Sequence, residues 1–316
     1  MKRFIVLFAV LIFNICFGQN DSTKTVNLIS YLPNGETLNY SVLKTTIDSN
    51  STENNTTKEE AFNFKITVKD STDSNYIISY YRTADIFANP QLDELPEDLR
   101  EKMIKLSTIK FDYETDEWGT FKRIVNEDLL SGKISSDFQE LLDMFKQENT
   151  DENVLKFMED FIGAIDPNSL ISLYSQDVHA LHYALGASFN LRDTIPFEEE
   201  VIAPVFNIPV KMKGILYCDE YDEENNYLSV IEEKIIDGNF MEKMIEFFKK
   251  YENKEKPIDE NLLNNFSMEM YMHNNYQYNS FYGVATYIEL YREVTVENQT
   301  TSNKKIEIYE ISLVED

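Results

Sequence analysis

Phe62, Phe64, Ile66 and Val68 occupy every second position of one segment. After the polar turn at 70–75 the same period returns in Tyr76, Ile78 and Tyr80. Successive side chains of a strand point to opposite faces, so this spacing dictates a hairpin with one buried face and excludes a helix over the same residues. The pattern recurs upstream, where Leu38, Tyr40 and Val42 open a strand running to Ile47. It recurs again in a second hairpin, residues 108–125, around the turn Asp116-Glu117-Trp118-Gly119, with Gly119 supplying a residue that tolerates positive φ. From Phe197 onward the signal is again extended, with strands over 205–221 and from Leu228, then over 267–279, 284–297 and 305–314. Pro209 and Gly214 mark bends or edge positions in the first of these.

Helical spacing fills the middle of the chain. Residues 90–107 read as a loop leading into a short helix. Ile134, Phe138, Leu141, Leu142 and Phe145 form one apolar stripe, and Val154, Leu155, Met158, Phe161, Ile162 and Ile165 a second. Asp166-Pro167 restarts the chain into a third helix over 170–185, with Gly186 as its stop. A further amphipathic helix, 239–251, carries Met241, Met244, Ile245 and Phe248 on one face. The expectation is an α+β fold: mainly antiparallel curved sheet, with a central three-helix block and a helix in the C-terminal half packed on one face. One domain over 19–316, with an option of two lobes at 24–190 and 191–316, accounts for the length. The hairpin-plus-helix at 113–145 echoes that at 221–248, which either a worn duplication or chance explains.

Lys2 and Arg3, the apolar run Phe4–Phe13 and the step down to Gly18 form the tripartite pattern of a bacterial secretory signal peptide over 1–18. Its apolar core is well short of the ~20 residues that a membrane-spanning helix needs. Ile15 and Phe13 stand where a lipobox around Cys16 would place a small residue and Leu, which disfavours a lipoprotein. The expected address is periplasmic or extracellular, with no transmembrane segment.

The chain carries 29 basic and 56 acidic residues, a net charge of −27, and that sign repels phosphate backbones and anionic lipid headgroups. No nucleic acid is expected as a partner; a hydrophobic small molecule, a glycan or an envelope protein remains. With Cys16 in the leader, Cys218 is alone, so neither an intrachain disulfide nor a multi-cysteine metal site can form.

Catalytic signatures are sparse. His179 and His182 share a helical face at a spacing that could hold a metal if a third ligand joined them, making them weak candidates beside the reading of ordinary partly buried residues. No metal and no cofactor is the expectation. The acidic turns 112–117 and 219–224 lack the glycine of a calcium loop and read as solvated tips. There is no Gly-x-Ser-x-Gly and no glycine-rich phosphate loop. Tyrosines crowd one segment, and Tyr276, Tyr278, Tyr282 and Tyr287 are the candidate ligand-binding residues, since tyrosine offers a flat apolar face with a polar tip.

The leading reading is an exported, non-catalytic envelope or secreted protein that binds a hydrophobic or glycan ligand. Its hollow requires that Phe62, Phe64, Ile66 and Val68 line a cavity instead of packing solidly. One alternative is a carboxylate-dependent hydrolase, which needs two open acids ~5–10 Å apart. The other is a structural surface-assembly protein, which needs a broad exposed aromatic patch.

Overall fold

The structure, a computed structural model, describes residues 24–50, 55–83, 108–147, 171, 175–203, 208–236, 267–297 and 302–314. The leader expected over 1–18 lies outside them, as do the helices expected over 154–165 and 239–251 and the segment 90–107.

Thirteen strands and two helices are described. The strands are β1 (Thr25–Asn27), β2 (Thr37–Asn50), β3 (Asn55–Ser71), β4 (Asn75–Thr83), β5 (Ile109–Asp116) and β6 (Phe121–Ile124), then β7 (Ser188–Asn190), β8 (Thr194–Ala203), β9 (Ile208–Asp222), β10 (Tyr227–Ile236), β11 (Ser267–Asn279), β12 (Val284–Glu297) and β13 (Ser302–Leu313). The helices are α1 (Glu127–Gln147) and α2 (Gln176–Leu181). The α+β expectation with a three-helix block is therefore corrected: the chain is mainly β.

The reason is visible in the third expected helix. Val178, Leu181 and Leu185 have helical spacing and are buried. Beyond Leu181, however, the chain closes in tight i→i+3 turns, with Leu185 N–H on the His182 carbonyl and Ala187 N–H on that of Ala184. It then reverses at Gly186, φ +82°. A short wound segment satisfies the same apolar spacing as a long helix.

Eleven strands form one antiparallel sheet in the order β6-β5-β4-β3-β2-β13-β12-β11-β10-β9-β8. This is a meander whose two ends meet where β2 pairs with β13, leaving β6 and β8 as edges. Strands from 24–190 and from 191–316 thus share one sheet. The β8 edge carries Pro196 and Glu198 to Glu200, residues that blunt an edge against further pairing. Gly214, next to it on β9, leaves room for the Phe197 ring, which a Cβ there would strike at 2.5 Å.

Two neighbouring side chains establish the curvature. His182 bonds Tyr113 on β5, and Tyr183 bonds Glu232 on β10. Those strands stand seven places apart, roughly 33 Å in a flat sheet. Consecutive Cα atoms are about 3.8 Å apart, so the sheet must curl around α2. The inner face is aromatic on one wall: Tyr40 stacks on Phe64 (5.1 Å between ring centres), Tyr80 stacks on Phe111 (4.8 Å), and Phe64 meets Tyr80 at a tilt (5.3 Å). Cross-strand register makes two of these contacts, Tyr40 opposite Phe64 and Tyr80 opposite Phe111. A smaller apolar cluster sits toward the other strand ends, where Met268, Met270 and Met272 pack on Val210 and Met212.

Residues 28–31 form a strap across the end of the curl that α2 fills. Leu28 exchanges backbone hydrogen bonds with Gly186 and Ala187, Ser30 N–H donates to the Trp118 carbonyl (3.0 Å) and Tyr31 N–H to that of Tyr282 (2.9 Å). The Tyr76 hydroxyl adds a bond to the Ser30 carbonyl (3.2 Å). The strap thereby ties the β5–β6 turn to the β11–β12 turn, which come from opposite sides of the sheet.

Candidate functional site

Two features of this end could carry function: the polar groups buried around α2, and the aromatic side chains on the loops that the strap joins.

Asp177 sits in the first turn of α2 and is buried. The hydroxyls of Tyr80 (2.5 Å) and Tyr309 donate to its two oxygens, and Arg82 lies 3.9 Å away. Burial pushes its carboxyl above the usual range, while the hydroxyls and Arg82 oppose that shift. Glu232, on β10, is equally withdrawn. Tyr183 donates to one oxygen, Asn274 (2.6 Å) to the other, and Lys234 pairs at 3.2 Å. Among the described residues Asn274 Oδ1 has no hydrogen-bond partner. Neither carboxylate opens to solvent, and each has a cation beside it.

His182 donates from Nδ1 to the Gly119 carbonyl (2.7 Å) and accepts at Nε2 from the Tyr113 hydroxyl (2.9 Å). That pairing fixes the neutral tautomer and leaves no nitrogen for a metal. Burial pushes its pKa down to about 4. His179 packs edge-on against Phe121, 4.4 Å between ring centres, and burial lowers its pKa too. His273 is on the outer face beside Glu233 (3.6 Å). Among the described residues no group of three or more His, Cys, Asp or Glu is placed to hold a metal.

The neutral His182 has a consequence for acid stability. Between the unfolded value of 6.5 and about 4, the unfolded chain takes up a proton that the folded one refuses. Its contribution is therefore complete above the upper value and lost as pH falls toward the lower, roughly 3 kcal/mol in all. Asp177, raised in the fold, works with the opposite sign. The difference in urea-unfolding free energy between wild type and His182→Asn isolates the histidine, and it should shrink as pH drops through that window. A difference that stays constant would show that the ring is not held neutral.

The four tyrosines singled out in the sequence do not converge. Tyr276 and Tyr278 are buried on the inner face, Tyr276 stacked on Tyr183 (4.4 Å). Tyr287 is on the outer face, bonded to Glu289 and Glu310. Tyr282 is exposed in the β11–β12 turn. Where a hollow was expected, Phe64, Ile66 and Val68 are buried in one apolar cluster, with Phe62 partly buried against it. Cys218 is half-buried and its thiol is pushed up to about 11, mainly by burial, which disfavours the thiolate that a nucleophile needs.

An open groove of about 440 Å³ lies over β2, β3 and β4, lined in part by Asn39, Asn63, Lys65, Tyr81 and Val314. Amides beside a tyrosine would suit a sugar, but Lys65 stands 5.2 Å over the Tyr81 ring and covers a face on which a sugar would stack.

The exposed aromatic residues form a different arrangement. Tyr31, Trp118, Phe281 and Tyr282 are 59%, 51%, 61% and 53% exposed, and the strap brings the loops that carry them to one end of the molecule. Phe281 and Tyr282 meet edge to face at 4.9 Å. Sequence reasoning took only Tyr282 from this set. A usable signal was present: at both hairpin tips an aromatic residue directly precedes a glycine, Trp118-Gly119 and Tyr282-Gly283, and both glycines have positive φ. An aromatic side chain at the apex of a tight turn has little core to enter.

No family model matches this chain, and no curated protein matches it. Among solved structures it overlaps the attachment invasion locus protein Ail of Yersinia pestis, at 3% identity with a TM-score of 0.15, over 89% of this chain and 100% of that one. So slight a likeness carries no argument about fold or role.

Proposed function

We propose that this is an exported envelope or secreted protein that acts without catalysis, by docking a protein partner on the aromatic tip of Tyr31, Trp118, Phe281 and Tyr282. The observation that carries this reading is the exposure of four large rings on loops held by backbone hydrogen bonds to one strap. Interface hot spots are enriched in tryptophan and tyrosine, and rings on fixed backbone lose little freedom on binding. The leader and the acidic surface suit an extracytoplasmic address.

The other readings have less to stand on. A hydrolase needs an acid open to substrate, whereas Asp177 and Glu232 are closed in by hydroxyls and cations. A lipid carrier needs a hollow where Phe64, Ile66 and Val68 are packed.

The test is position-specific photocrosslinking in the native host. A photoreactive phenylalanine at Phe281 should give a discrete protein adduct, whereas one at Leu129, which is 73% exposed on α1, should not. Replacing Trp118 and Tyr282 together by serine should weaken adduct formation on the order of tenfold or more, with the unfolding midpoint unchanged. Equal labelling from positions 281 and 129 would dismiss the tip as a docking surface.

A further inference from the structure

We infer that the partner docked at this tip presents a lysine- or arginine-rich segment; this rests on the docking reading above. The charge around the rings decides it. Glu36, Asp73, Glu117 and Glu224 occupy turns at the same end, all exposed, and none has an ion-pair partner among the described residues. The lysines there are already committed: Lys24 to Glu223, Lys69 to Asp112 (2.7 Å) and Lys122 to Asp116 (2.9 Å). Arg192, in the β7–β8 turn, has interactions of its own. The tip therefore combines π faces, which attract cations, with carboxylates that have no counter-charge among the described residues.

Two other occupants meet the wrong sign. A second copy of this chain would bring −27 against −27 and set like turns against each other. An anionic bilayer would be repelled in the same way.

The platform is also pre-formed. Asn279 Oδ1 accepts from the backbone N–H of Phe281 (3.1 Å) and of Tyr282 (3.0 Å). Asp116 Oδ1 does the same for Trp118 (3.1 Å) and Thr120 (2.8 Å). Binding a cationic side chain between these rings requires no reordering of the turns.

Trp118 is the only tryptophan of the chain, so its emission reports on this surface alone. Titrating the mature protein with a short peptide of alternating Arg and Gly at low ionic strength should change that emission saturably, whereas a Glu-Gly peptide should not. High salt should weaken the response, since surface charges are screened within about 3 Å at 1 M. The pair Glu36→Lys and Glu117→Lys should weaken it on the order of tenfold while leaving the unfolding midpoint unchanged. A flat titration with Arg-Gly peptide overturns the inference, as does a response only to lipid vesicles or to rising protein concentration. If the Phe281 adduct persists in cells while the titration stays flat, docking stands and the basic partner falls; if both fail, both readings fall.

Discussion

Gly283→Ala is expected to destabilise the protein by about 2–5 kcal/mol, and Gly35→Ala by only about 1–2 kcal/mol. Both glycines have positive φ, +61° and +86°, so both alanines bear the strain of a left-handed backbone. They differ in what the new methyl meets. At Gly35 nothing lies within 4 Å. At Gly283 a Cβ would overlap the Ile29 carbonyl and stand 2.7 Å from Ser30 Cα, all backbone atoms that no rotamer change can move aside. The strap would have to lift, taking with it the bonds to the Tyr282 and Trp118 carbonyls. Urea midpoints of the two variants give the comparison, and Trp118 emission should shift in Gly283→Ala alone. Equal losses in the two proteins would mean that the strap does not seat between the hairpin tips.

The same contact explains which parts of this molecule were legible in the sequence. The inward face of β3 was, because Phe64, Ile66 and Val68 obey a two-residue period and are buried together. The β5–β6 turn was, because Asp116 and Gly119 have the residue types that a tight turn demands. Pairing of β2 with β13 was not: it joins opposite ends of the chain, and no local pattern encodes a partner so far away. The tyrosines of β11 and β12 looked like one surface because they are close in sequence. Strand alternation instead sends Tyr276 and Tyr278 inward and Tyr287 outward, and leaves Tyr282 on the turn. The aromatic tip is legible one residue at a time but not as a set, since only the strap gathers Trp118 with Phe281 and Tyr282. The third helix, expected over 170–185, was over-read because burial of a short wound segment and of a long amphipathic one produce the same apolar spacing. Glu232 and Asn274 gave no signal, being a common acid and amide within strands; only their cross-strand register puts them face to face.

That register makes Glu232 the side chain whose loss should be felt most among the polar residues. Glu232→Ala is expected to cost about 3–5 kcal/mol, the penalty for leaving buried partners without their counter-charge. Among the described residues Lys234, whose side chain is 12% exposed, would retain only Glu199 at 3.1 Å. Asn274, with Oδ1 already unsatisfied, would lose the acceptor of its amide protons as well, and Tyr183 the acceptor of its hydroxyl. Glu232→Gln keeps an oxygen for one of these donors and should fall between wild type and alanine. Changing Glu232 to leucine together with Lys234 to methionine removes both charges at once, so it should cost less than Glu232→Ala despite altering two residues. Equilibrium unfolding of the three variants orders them. If Glu232→Ala is the mildest, the carboxylate is not paired in the folded protein, and an open acid on the inner face would bring the hydrolytic reading back.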